Sequence, residues 1–452
     1  MMISCCEWKT ALWAGVCLAL PVLAVFAEDP SWAAPRAEVV TVDFGADAGP
    51  ATHRASGFLH AMTPTMPDVE LIAPLKPKLF RNQAEGPGGA FAIYGRVKSL
   101  GAGSQVVVSD SYWDREWPET KSNWKRWEAT VEDLVEEARR KGCTFEWDIW
   151  NEPEDEYFWE VDQARFFETW RRTVLKIRAL DPKAVIVGPS IAHFTSEYME
   201  AFLVYAKANN VLPDIVTWHE LDSEETPGAA ATAGFDTIEP HAAEVRRMLA
   251  KHEIAIDRLC INEIIGPGMH SRPGAAVRYF AALERAKVDG ACHATWREPE
   301  GGNYASLSGI LTREERKPRS TWWAYKAYAD ITGRLVSVRP GATVDGVAGH
   351  DPATGEARIV LGRCADLEEA VSVELSLVHL DAMPQGPREG RVHVTEERIP
   401  MSGWEALDKP VPVFGLERRV AGGRLDLSLP DFGPSDGYVI TLCAVEEEAG
   451  AE

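Results

Sequence analysis

The chain has 452 residues, 45% of them hydrophobic, so it can bury a large core and is expected to form one big domain with a smaller companion. A formal charge of −22 argues against a nucleic-acid partner, whose phosphates such a surface repels. Walker, HExxH and dinucleotide-glycine patterns are missing, so phosphate-loop, zinc-protease and nicotinamide chemistry find no support.

In chain order, Lys9 precedes an apolar run from Ala11 to Phe26, closed by Ala27 before Glu28. This reads as a secretory signal, too short and isolated for a comfortable membrane span. Residues 1–27 are expected to be removed, leaving a secreted or periplasmic protein. Cys5, Cys6 and Cys17 would leave with the signal. The remaining Cys143, Cys260, Cys292, Cys364 and Cys443 are odd in number, widely spaced and without CxxC, and three lie beside or within apolar strand-like runs, which favours buried thiols over a disulfide framework or a metal site. Residues 28–55 contain the strand-like "AEVVTVDFGA", which could join a sheet elsewhere in the fold.

Over residues 56–332 short apolar strands alternate with amphipathic helices. The strands are "GFLHAM", "PKLFRNQ", "QVVVSDSYW", "CTFEWDIWNEP", "AVIVGPS", "DIVTWHEL", "RLCINEI" and "GACHATW". Between them lie patterns such as "WKRWEATVEDLVEEARRKG", whose apolar residues recur three and four apart and stop at Gly142. Eight such units imply an α/β fold of the (β/α)₈ barrel type. From residue 333 to 452 the texture changes to short β-rich runs, "ARIVLGRC", "VSVELSLVHL", "GRVHVTEERI" and "GYVITLCAV", separated by Gly, Pro and Asp turns. That is the expectation for a C-terminal antiparallel β-sandwich.

In a barrel of this kind functional groups sit at the C-terminal strand ends. Glu152 follows the fourth strand, and Glu263 lies at the end of the seventh, 111 positions later, a distance that suits three βα units. Both acids would then face one cleft. Two facing carboxyls are what glycosidic cleavage needs, one protonated to assist the leaving oxygen and one ionised. The gap between them separates retention from inversion, and sequence cannot measure it. Without a partner, Glu152 could be a helix-capping acid before Pro153, and Glu263 an ordinary strand-end acid. Glu154, Asp155 and Glu156 read as a solvated first helical turn. In the same register His60, Arg81, Tyr112 and Asp114 reach the mouth from the first three strands.

The stretches "FEWDIWNEPE", "PDIVTWHEL", "LCINEI" and "GILTREERKPRSTWWAYKAYADITGRLV" resemble glycoside hydrolase family 39, within the retaining clan A barrels that carry a β-sandwich. The resemblance implies Glu152 as acid/base, Glu263 as nucleophile and Asn151 as the ligand of the sugar 2-hydroxyl. It also implies His219 beside the site and Trp296 as an aromatic platform. It implies an oligo- or polysaccharide substrate, β-xylosidase-like activity, and no cofactor or metal. Departures are Leu221 where clan members commonly carry a tyrosine, "NEIIG" at the seventh strand, and Arg297 and Glu298 after the eighth. They leave open an endo-acting enzyme, specificity for arabinose, uronate or galactose, or a carbohydrate-binding barrel without turnover.

Overall fold

The computed structural model describes residues 37–112, 121–159, 162–221, 234–296, 298, 302–365 and 369–445. The expected signal, Asp114 and Arg297 lie outside the described residues. No helix among the described residues is long and apolar enough to cross a membrane.

Eight parallel strands close into a barrel in chain order: β2 (Gly57–Leu59), β3 (Leu79–Gln83), β4 (Gly103–Val107), β5 (Glu146–Asp148), β6 (Val185–Ile191), β7 (Ile215–Glu220), β8 (Arg258–Ile264) and β9 (Gly290–Ala294), with β9 returning to β2. Each of the eight expected runs overlaps one of these strands. The helices that cover them are amphipathic. In α4 (Gln163–Leu180), Phe166, Trp170, Val174 and Ile177 are buried at helical spacing, and the Asp162 carboxylate caps the helix by accepting from the Arg165 N–H at 3.0 Å. Asp155 instead accepts from the Tyr157 N–H, so a turn follows β5 and the helix starts only at Gln163. The expected solvated helical turn at Glu154–Glu156 is thereby corrected: the Glu154 carboxylate accepts from the His193 N–H at 2.8 Å, and burial pushes it up to about 7.

The barrel interior is polar at several levels. At the N-terminal end of the barrel, Gln105 donates to Glu146 at 3.0 Å and the exposed Arg258 pairs with the same carboxylate at 2.7 Å. Two strands break simple alternation. Trp218 and His219 pair with Ile261 and Glu263, so Asn262 is an extra residue on β8. Likewise Pro189 and Ile191 pair with Thr217 and Trp218, which leaves Ser190 extra on β6 at a φ of 56°. Such bulges re-aim side chains. Here they let Asn262 and Glu263, neighbours in sequence, both reach inward.

The second domain is built from β1 (Ala37–Pro50) and, after the barrel, β10 (Arg334–Arg339), β11 (Val344–His350), β12 (Ala357–Arg363), β13 (Val371–Val378), β14 (Gly390–Ile399), β15 (Val411–Val420), β16 (Leu425–Phe432) and β17 (Gly437–Ala444). They form one nine-stranded sheet in the order β15-β14-β17-β12-β11-β10-β1-β13-β16. Neighbours are antiparallel except β1 and β13 (Val371–Val378), which run parallel because β1 enters from before the barrel. The sheet packs against α7 (Pro273–Ala286), where a Cβ on Gly274 would meet the Arg363 carbonyl at 2.0 Å, and Arg285 grips Asp345 with two bonds of 2.9 and 2.7 Å. All five described cysteines are free thiols, with Cys260, Cys292 and Cys364 buried.

Candidate active site

Glu152 sits just beyond β5 with a φ of 51°, a conformation most side chains avoid. Its N–H donates to the Ser190 carbonyl at 3.0 Å, which holds that geometry. Strain of this kind concentrates at functional positions. From β7, the His219 Nδ1 lies 2.8 Å from Glu152 Oε1 and 3.8 Å from Glu263 Oε2. The ligand atoms of Glu152, His219 and Glu263 all lie within 4.8 Å of one another. Spacing alone would admit a metal ion, but the guanidinium already bonded to Glu263 disfavours a second cation there.

That guanidinium is Arg81, from β3. Its Nη1 donates to Glu263 Oε1 at 2.5 Å, its Nη2 to Asn151 Oδ1 at 2.7 Å, and its Nε to Asp148 Oδ2 at 2.8 Å. Asp148, fully buried, also accepts from Ser190 Oγ at 2.7 Å and from Asn262 Nδ2 at 3.0 Å. A buried ionic cluster persists only when its polar atoms are bonded in this way. Burial opposes the Arg81 charge, but Asp148 and Glu263 hold its pKa above the ordinary range.

The two glutamates differ in their neighbours. Burial pushes Glu152 up to about 7, with Arg81 opposing and Asp155 adding to the rise. Burial also raises Glu263, but His219 and the directly bonded Arg81 pull against it. Burial drives His219 down to about 4, so the imidazole is neutral at pH 7.

The structure brings Glu152, Glu263, Asn151 and His219 together. His60 lies at the rim beyond β2: its N–H donates to the Arg81 carbonyl at 3.2 Å, its ring bonds Gln83, and burial lowers it to about 4. Trp296, partly exposed two residues after β9, and Leu221 each pack against an apolar cluster inside the barrel that includes Leu59, Cys292 and Ala294. Leu221 thus fills space where clan members commonly have a tyrosine. Tyr112 is the correction. β4 ends at Val107 and a 3₁₀ turn over Ser109–Ser111 redirects the chain, so Tyr112 turns into the core, edge-on to Trp127 at 5.3 Å.

Asp110, Asp148 and the bonding role of Arg81 escaped the sequence reading. Asp110, on that 3₁₀ turn, interacts with Arg81, Asp148 and Glu152, and burial raises it to about 7. The signal was there in Asp148, an acid at an inward position of an apolar strand. The unmatched acids serve structure. Glu220 accepts from Trp218 Nε1 at 2.6 Å and Thr237 Oγ1 at 2.7 Å, and contacts His241 at 2.7 Å. Glu298 pairs with Arg319 at 3.0 Å, and Arg319 Nε donates to the Trp404 carbonyl of the second domain at 2.9 Å.

Comparison with known proteins agrees with this arrangement. Residues 91–254 match the model of "Glycosyl hydrolases family 39". Over 274 residues the chain is 23% identical to 3-O-α-D-galactosyl-α-L-arabinofuranosidase of Bifidobacterium longum subsp. longum, covering 59% of this chain and 23% of that protein. Over 133 residues it is 26% identical to a β-xylosidase of Geobacillus stearothermophilus, covering 28% of this chain and 26% of the other. The matched stretch thus spans about a quarter of the length of each curated relative. Among solved structures, N2152 from Neocallimastix frontalis superposes with a TM-score of 0.77 at 26% identity, over 91% of this chain and 100% of that one. By matched segment, fold and the residues at its barrel mouth, the chain is similar to the glycoside hydrolases of family 39.

Proposed function

We propose that the protein is an exported retaining glycoside hydrolase, β-xylosidase-like, that releases neutral pentosyl residues from oligo- or polysaccharides by double displacement. The observation that carries this reading is the approach of the Glu152 and Glu263 carboxyl oxygens to within 4.8 Å across the barrel mouth. Retaining enzymes hold their carboxyls about 5–5.5 Å apart, whereas inverting enzymes need roughly 6.5–9.5 Å to admit water. Export rests on the apolar run from Ala11 to Phe26.

Unequal surroundings assign the roles. Glu263, bonded to Arg81, is where negative charge is best held, so it attacks the anomeric carbon. Glu152, pushed up to about 7 beside a neutral imidazole, enters the reaction protonated. With its Nδ1 protonated, His219 donates to Glu152 Oε1 and leaves Oε2 to carry the proton. In the first step the bond from the anomeric carbon to the glycosidic oxygen breaks. A glycosyl ester forms on Glu263, and the Glu152 proton passes to the departing oxygen. Water then attacks the same carbon, gives its proton to Glu152, and releases Glu263 as a carboxylate. Asn151 spends its Oδ1 on Arg81, so its amide nitrogen serves the sugar 2-hydroxyl. Trp296 and His60 line the glycone at the rim.

Among the described residues Asp110, Asp148, Glu152 and Glu263 surround a single guanidinium, a field that suits a neutral sugar better than a uronate. A second reading, an α-L-arabinofuranosidase, is favoured by the match of 59% of the chain to the Bifidobacterium enzyme. Aryl β-xylosides, α-L-arabinofuranosides, glucosides and galactosides separate the two by rate. NMR of the first-formed anomer tests retention, and an inverted product would overturn it. Sugar binding without turnover on any glycoside would leave only a carbohydrate-binding barrel.

A further inference from the structure

We propose that Asp148 is a positioning residue that sets the basicity of Glu263 by taking up part of the Arg81 charge. It rests on the reading of Glu263 as nucleophile. Arg81 is shared: Nε and Nη2 both lie 2.8 Å from Asp148 Oδ2, while Nη1 reaches Glu263. Asp148 cannot turn away from this contact. Its other oxygen is held by Ser190, Ser190 lies 2.8 Å from Thr217 Oγ1, and Asn262 donates to both Asp148 and Ser190 at 3.0 Å. All of these side chains are fully buried, so little solvent screens the charges.

A guanidinium bonded only to Glu263 would make it a weak nucleophile and a good leaving group. Bonded also to Asp148, the same guanidinium still orients Glu263 but quenches less of its charge, so glycosylation gains at some expense to deglycosylation. The groups that face Glu263 are Arg81 on β3, Glu152 beyond β5, His219 on β7 and Cys292 on β9, and Asp110 beyond β4 faces Arg81. Of these Arg81 alone is a fixed cation, so the sharing of its charge decides the balance.

Asp148→Asn isolates the electrostatic part. The amide oxygen can keep the Arg81 and Asn262 bonds, and its nitrogen can donate to Ser190 Oγ, which can instead donate to Thr217. The acid limb of kcat/KM should move down by about one pH unit, as expected for one charge removed beside a buried pair. An enzyme trapped with a 2-deoxy-2-fluoro glycosyl group should reactivate about threefold faster or more, since the carboxylate leaves more readily. A merely structural role would lower kcat and leave the limb in place, and a limb unmoved or moved upward overturns the proposal. Should Asp148→Asn fail to fold, Ser190→Ala carries the test. Loss of that donor concentrates the Asp148 charge on Arg81 and raises the limb by about a few tenths of a unit, and no shift defeats the idea. Absence of all glycosidase turnover in the unmodified protein would sink the hydrolase reading, whereas turnover with unmoved limbs sinks this proposal alone.

Discussion

At the barrel mouth Arg81 lies among Asp148, Asn151 and Glu263, whereas the second domain fills its interior with Val40, Val42, Leu375, Leu377, Leu427 and Ile440. Both regions curl a sheet around buried side chains, yet the first gathers charge at its mouth where the second is lined chiefly by aliphatic groups. The difference lies in partners. Each Arg81 nitrogen has an acceptor, and Asp148 collects donors on both oxygens. One buried acid of the second domain makes the same point in reverse. Glu396, on β14 (Gly390–Ile399), is 1% exposed, neither carboxyl oxygen finds a hydrogen bond, and burial pushes it up to about 7 against the pull of Arg418. A buried charge with partners is held in place; one without partners is a liability for stability.

Substitutions at these buried groups test the difference. Glu263→Gln should lower turnover by about 10⁴-fold or more on every glycoside, because both steps pass through its carboxylate. Survival of activity would remove Glu263 from the chemistry. Glu152→Ala should slow poor leaving groups by about 10²–10⁴-fold and spare activated aryl groups in the first step. Equal losses on both substrates would contradict the acid role. In the unmodified enzyme kcat/KM should fall as pH rises through about 7, since Glu152 must be protonated, and Glu152→Ala should erase that limb on activated substrates.

Smaller effects concern stability. Arg319→Leu strands the buried Glu298 carboxylate and should cost about 3–5 kcal/mol in denaturant unfolding. Glu396→Gln should act in the opposite direction. Its folded pKa stands above the ordinary 4.5, so its protonated form favours the fold. That stability is intact below 4.5 and is lost as pH rises through about 7. The substitution should therefore raise Tm more at pH 8 than at pH 5, and an equal gain at both would show that the carboxyl does not titrate there.

Much of the barrel could be read from local pattern. Short apolar runs separated by helical spacing located all eight strands, and the Asn-Glu-Pro at the end of β5 marked the mouth. Legibility failed where a strand ended early or changed phase. The apolar run "QVVVSDSYW" continues past Val107, but the turn at Ser109–Ser111 sends Tyr112 to Trp127 and leaves Asp110 at the site. The bulges at Ser190 and Asn262 likewise shift alternation by one residue, and no local signal announces them.

The alternation of strands and helices, the change to a β-rich second domain, and the two acids that face one cleft are legible locally, because each depends on periodicity or a short motif. How those acids become unequal follows from contacts between distant strands. Arg81 meets Asp148, Asn151 and Glu263 across gaps of 67, 70 and 182 positions, and His219 meets Glu152 across 67. The proton affinity of a carboxyl is set by the charges and burial around it in space, and the closed barrel supplies them from strands far apart in the chain.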